Sequence, residues 1–112
     1  MLTYALIVFA VAAVGGLLLA SSVLRGRLAP WALSLAHAGL GVTGLVMLII
    51  VVMKGASGQV SAALGLLVLA ALGGFFLASI HLKGQIAPKA IVAVHATVAV
   101  AGFLTLLTAA LL

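Results

Sequence analysis

The chain contains no aspartate, no glutamate and no cysteine among its 112 residues. Without cysteine there is no disulfide, no thiolate metal site and no iron–sulfur cluster. Without carboxylates, no acid can orient a histidine for nucleophilic catalysis and no protein anion can offset a buried cation. Charged residues make up 4% of the sequence, against about 25% in a soluble domain, which excludes an ordinary water-soluble fold. What remains is apolar. Hydrophobic residues account for 68% of the chain, in Leu, Ala and Val runs that lack the alternation of a transmembrane β-barrel.

Four apolar stretches stand out, Leu2 to Leu24, Pro30 to Met53, Gln59 to Leu82 and Pro88 to Leu111. Each exceeds the ~20 residues that cross a hydrocarbon core as a helix. The connectors, Arg25 to Ala29, Lys54 to Gly58 and Lys83 to Ala87, are short enough to make sequential helices antiparallel neighbours. The sequence therefore predicts an all-α, integral membrane four-helix bundle, a single membrane domain over residues 1–112 embedded in a lipid bilayer. Pro30 and Pro88 suit the first turn of helices two and four, and Gly26 and Gly84 suit helix ends. The first stretch lacks the basic start of a signal peptide and reads as a helix. The net charge of +5 serves orientation and anionic headgroups rather than nucleic acid. Arg25, Arg27, Lys83 and Lys89 flank the first and third connectors, and Lys54 alone lies opposite. Both termini are thus expected outside the cytoplasm of a bacterial inner membrane.

The chain is also written twice. Gly15, Gly16, Ser21, Gly26, Pro30 and His37 recur 58 positions later as Gly73, Gly74, Ser79, Gly84, Pro88 and His95. The repeats, 1–54 and 59–112, are helical hairpins that start on the same side of the membrane, hence parallel repeats related by an axis along its normal. In a square bundle, helices two and four then face each other across the diagonal. Ala12, Gly16 and Ala20, repeated as Ala70, Gly74 and Ala78, form small-residue stripes that serve close helix packing, room for a flat cofactor, or both. His37, Gly41, Gly44 and Leu48 share one face of helix two, as His95, Ala99, Gly102 and Leu106 do on helix four.

Counted from the prolines at ~1.5 Å per residue, His37 and His95 are expected roughly 10 Å inside the helix ends, a third of the way into a ~30 Å core. Side chains at that depth face the bundle interior and require a partner. With no carboxylate in the chain they are expected as neutral imidazoles, one nitrogen free to accept or ligate and the other held by a hydroxyl or carbonyl. Ser21 and Ser79 are the candidate partners. Two such rings meeting at equal depth match the axial ligation of a haem iron, with Gly16, Gly41, Gly44, Gly74 and Gly102 making room. Arg25, Arg27, Lys83 and Lys89 lie near the end that propionates would reach. No C-x-x-C-H motif is present, so the group expected is non-covalent haem b. Two imidazoles alone are too few for zinc.

On the His37 and His95 pair and the glycines around it, the chain resembles the bis-histidine membrane cytochromes b. The resemblance implies one haem b between transmembrane helices, His37 and His95 as its axial ligands, and one-electron transfer. Many members of that class stack two haems, so here a quinone or a redox membrane subunit is expected to complete the route. The chain then reads as an electron carrier or accessory subunit rather than an enzyme with its own chemistry. Other readings stay open: histidines that only hydrogen-bond across helices, a cofactor-free accessory or scaffold subunit, a quinone- or lipid-binding protein, and a homo-oligomer whose copies share ligands. By length and helix count the chain is also similar to small multidrug resistance transporters, but the embedded glutamate of that chemistry has no counterpart here. His81, matched by Val23 in the first repeat, is expected at the interfacial end of helix three with a solvated tip. Trp31 and Tyr4 read as interfacial anchors on opposite sides.

Overall fold

A computed structural model describes all 112 residues. Four α-helices, α1 (Leu2–Leu24), α2 (Trp31–Met53), α3 (Gly58–Leu82) and α4 (Lys89–Leu111), account for nearly the whole chain. Helices of 23 to 25 residues are about 35 Å long at 1.5 Å per residue, enough to cross a ~30 Å hydrocarbon core. All four are long and apolar enough to span a membrane. Only 13 residues are buried, and Ile7, Leu17, Leu18, Leu69 and Leu72 are among the many large apolar side chains left facing outward. A surface of that kind belongs in lipid rather than water.

Local chemistry fixes the helix ends. After α1 and α3 the chain turns through Gly26 (φ 68°) and Gly84 (φ 71°), a left-handed conformation that glycine adopts without a Cβ clash. The next amides close the turn: Arg27 N–H donates to Ser22 O at 2.8 Å and Gln85 N–H to Ile80 O at 3.2 Å, the Schellman pattern. Pro30 and Pro88 lie one position earlier than expected, as N-caps rather than in the first turn, with ψ of 135° and 133°. Their carbonyls still begin the helix, accepting from Leu33 N–H at 3.0 Å and Val92 N–H at 3.2 Å. α3 starts a residue ahead of the expected Gln59 because the Ser57 hydroxyl caps it, accepting from Val60 N–H at 3.3 Å.

The helices form a square. α1 packs on α2 and α4, α3 packs on the same two, and α2 faces α4 across the diagonal. Packing is one-sided along the bundle axis. The core of Ala5, Phe9, Leu48, Val60, Ala63, Leu67 and Leu106 lies in the half that carries the termini and the α2–α3 connector. Two matched sockets build it: a Cβ on Gly44 would come within 2.8 Å of the Phe9 ring, and one on Gly102 within 2.9 Å of Leu67 Cγ. Phe9 and Leu67 are the same position of the repeat, so each hairpin closes by one large side chain over one glycine. The other half of the bundle, toward the α1–α2 and α3–α4 connectors, is hollow.

Candidate functional site: a paired-histidine cavity

The hollow is a cavity of about 310 Å³ lined by all four helices, at the lower end of the ~300–1,000 Å³ range of ligand pockets. His37 and His95 enter it from α2 and α4. Their ring centroids are 6.3 Å apart and the planes cross at 89°. The diagonal meeting expected from the duplication is therefore present.

Each ring is held by the backbone of the helix before it. His37 Nδ1 lies 2.7 Å from Ala12 O, and His95 Nδ1 lies 2.7 Å from Ala70 O. A carbonyl only accepts, so Nδ1–H donates, and in the neutral ring Nε2 is the acceptor. Neither Nε2 has a hydrogen-bond partner, and neither is sealed from the accessible space of the cavity. These carbonyls stand inside regular helices, where the side chain four residues on normally crowds a second donor. At that place the chain has Gly16 and Gly74. A Cβ on Gly16 would sit 2.9 Å from His37 Cε1, and one on Gly74 3.0 Å from His95 Cε1. The glycines thus admit the imidazole ring to the carbonyl.

That arrangement revises several expectations. Ser21 and Ser79 are not the histidine partners: Ser79 Oγ donates to Phe76 O of its own helix at 2.6 Å, and the ring nitrogens find carbonyls a full turn or more deeper. Gly44 and Gly102 do not floor the cavity, because Phe9 and Leu67 fill the space above them. Gly16 and Gly74 line it but are covered by the rings, whereas Gly41 lines it with no heavy atom within 4 Å of its Cβ position. Of the four basic residues, only Arg27 reaches the lining. Arg25 Nε turns back to Ser21 O at 3.3 Å, and Lys83 and Lys89 do not contribute to the wall.

His81 lies in the last turn of α3, as expected, but its tip finds protein partners. Its tip is not in solvent but bridges to α2: Nε2–H donates to Ala29 O at 2.7 Å and Nδ1 accepts from Ser34 Oγ. Trp31 packs edge-on against the ring, centroids 5.1 Å apart, and so does more than anchor the interface. His81, Ser34, Arg27 and Gln85 supply most of the polar wall at the connector end of the cavity. A signal existed in the sequence, since His81, Ser34 and Trp31 each replace a different residue in the other repeat.

Chemically, the site offers two imidazole rings, each held at Nδ1, that enter an apolar chamber with one polar end. No third histidine, cysteine or carboxylate joins them to complete a protein metal cluster. No protein-family model matches the chain, and no curated protein or solved structure is significantly similar to it.

Proposed function

We propose that this bundle is a membrane cytochrome that holds one haem b non-covalently, with His37 and His95 as the axial ligands. The observation that carries the reading is the pair of rings with centroids 6.3 Å apart, each held at Nδ1 by a carbonyl so that Nε2 is left to face the cavity. Two imidazoles on opposite sides of one metal ion, each bound at about 2 Å through nitrogen, have centroids roughly 6 Å apart. The donor set fits the group: two nitrogens suffice where a macrocycle brings four more, and they are too few for a bare ion. Bound haem supplies reversible one-electron chemistry at its iron.

The protein's own part is positional. The Ala12 and Ala70 carbonyls fix the orientation of each ring, as outer-shell acceptors do for ligating histidines. Leu45, Leu67 and Phe103 close the chamber toward the packed half and exclude water. Arg27 at the polar end balances an acidic substituent. Its charge also bears on topology: the cluster of basic residues puts this end on the cytoplasmic side, which terminal reporter fusions test. With a single histidine pair, the electron partner is a second membrane component, a quinone or a redox subunit.

The Nε2 edges, which make no hydrogen bond to another helix, favour a cavity ligand over histidines that serve only to join helices. They also offer nothing to an oxidised quinone carbonyl, which needs a donor, although a quinol hydroxyl would find an acceptor there. An optical spectrum decides. Protein purified in detergent after expression with ample haem is expected to show a low-spin Soret band that shifts on reduction, lost in His37→Ala and His95→Ala. Colourless protein that cannot be reconstituted, with or without co-purifying quinone, overturns the haem reading.

A further inference from the structure

Among the positions where the two repeats differ, three meet in space. His81, Ser34 and Trp31 form a cluster joining the end of α3 to the start of α2, whereas the equivalent positions around α1 and α4 hold Val23, Val92 and Lys89. The α2–α3 seam therefore carries directed hydrogen bonds at positions where the α1–α4 seam has two valines and a lysine. Elsewhere the halves stay matched: both ligand rings keep a 2.7 Å bond to a carbonyl and both press on a glycine.

Position along the bundle gives the cluster its consequence. The packed core lies in the far half, and at the hollow end the buried side chains are only Ala12, Ala29, Ala70 and Val92. There the two repeats are tied by His81, which reaches Ala29 just before α2 and Ser34 in its first turn. Ser34 stands one turn before His37 on the same helix. A displacement of the α2 start therefore carries His37 with it, relative to His95 on α4.

We infer that His81 is a positioning residue: its bridge to Ala29 and Ser34 latches the two repeats together and sets the separation of the His37 and His95 rings. The latch is independent of what the cavity holds, but its spectroscopic consequence rests on the haem reading. It is one-sided by construction, so motion at the hollow end is confined to the α1–α4 seam, where Val23 and Val92 make no polar tie.

The test uses the full chain in detergent or nanodiscs. The natural sequence has no cysteine, so spin labels attach only where a pair is introduced. Leu35→Cys with Ala93→Cys reports the hollow end from exposed positions of α2 and α4, and Val46→Cys with Leu104→Cys reports the packed end. In His81→Val, which copies the other repeat, the hollow-end distance distribution is expected to broaden while the packed-end one stays as it was. In haem-loaded protein without labels, the same substitution is expected to move the low-spin g values and to speed haem loss about tenfold, the worth of one or two net hydrogen bonds. His81→Gln, which keeps one donor and one acceptor, is expected to restore both readouts. An unchanged hollow-end distribution in His81→Val, or equal broadening at both ends, overturns the latch. If the natural chain binds no haem, the haem reading falls and the distances still decide the latch.

Discussion

Substituting adjacent glycines by alanine isolates the contact that seats the His37 ring. Gly15 and Gly16 both face His37, but their missing Cβ atoms differ sharply in room. At Gly15 the nearest heavy atom would be 3.7 Å away, an ordinary contact, and at Gly16 it would be His37 Cε1 at 2.9 Å. Alanine gains about 1 kcal/mol of helix propensity over glycine at either site, so that contribution cancels between the two variants. Gly16→Ala additionally forces the ring outward, at ~1–3 kcal/mol for overpacking. It also stretches the 2.7 Å bond from Nδ1 to Ala12 O, a loss of about 0.5–1.5 kcal/mol. The predicted gap between Gly15→Ala and Gly16→Ala is therefore roughly 1.5–4.5 kcal/mol, with Gly15→Ala neutral or slightly stabilising. Reversible unfolding in mixed micelles measures it. The duplication supplies a replicate, because Gly73→Ala and Gly74→Ala are expected to give the same gap around His95, where the distances are 3.7 and 3.0 Å. Equal stabilities for the two members of either pair would refute the seating of the ring against α1 or α3.

Three further outcomes follow from the same geometry. Gly44→Ala and Gly102→Ala are expected to destabilise the bundle by about 1–3 kcal/mol through Phe9 and Leu67, and thermal melts are expected to fall without any change in the optical spectrum of what remains folded. Ser21→Ala and Ser79→Ala are expected to stay within about 0.5 kcal/mol of the natural chain and to leave the spectrum intact, as neither hydroxyl meets a ligand ring. Arg27→Gln is expected to speed haem loss roughly two- to fivefold in a salt-dependent way, measured by transfer to an acceptor globin, while Arg25→Gln, whose side chain turns back on its own helix, leaves the rate unchanged.

Composition and period made the architecture legible. A chain with so few charges can only put its helices in lipid, and the 58-residue offset between His37 and His95 forces equal depth and a diagonal meeting once the loops are short. The hydrogen-bond partners were not legible, for a physical reason. Ser21 and Ser79 offered the only nearby hydroxyls, and sequence gives no sign that a helical carbonyl is free to accept twice. That freedom comes from the absence of a side chain at Gly16 and Gly74, which a sequence reader takes as a helix contact or cofactor space. His81 escaped notice for a related reason. An unmatched residue in a duplicated chain looks like drift until its neighbours in space, Ser34 and Trp31, are seen to have diverged from Val92 and Lys89 with it.

The division of the bundle into a packed and a hollow half explains how such a small chain can afford two polar rings in its interior. Helices in lipid gain nothing from burying apolar surface against one another, so association depends on close fit and on hydrogen bonds. The fit is concentrated where Phe9 meets Gly44 and Leu67 meets Gly102, and it holds all four helices without help from the other end. The hydrogen bonds sit in the hollow half, where His37 ties α2 to α1, His95 ties α4 to α3, and His81 ties α3 to α2. Each histidine of the pair thus commits one nitrogen to the fold and turns the other toward the cavity. A hydroxyl also donates and accepts, but through one atom, whereas imidazole carries its two nitrogens on separate edges of a rigid ring, so that one can hold a helical carbonyl while the other reaches the space between the helices.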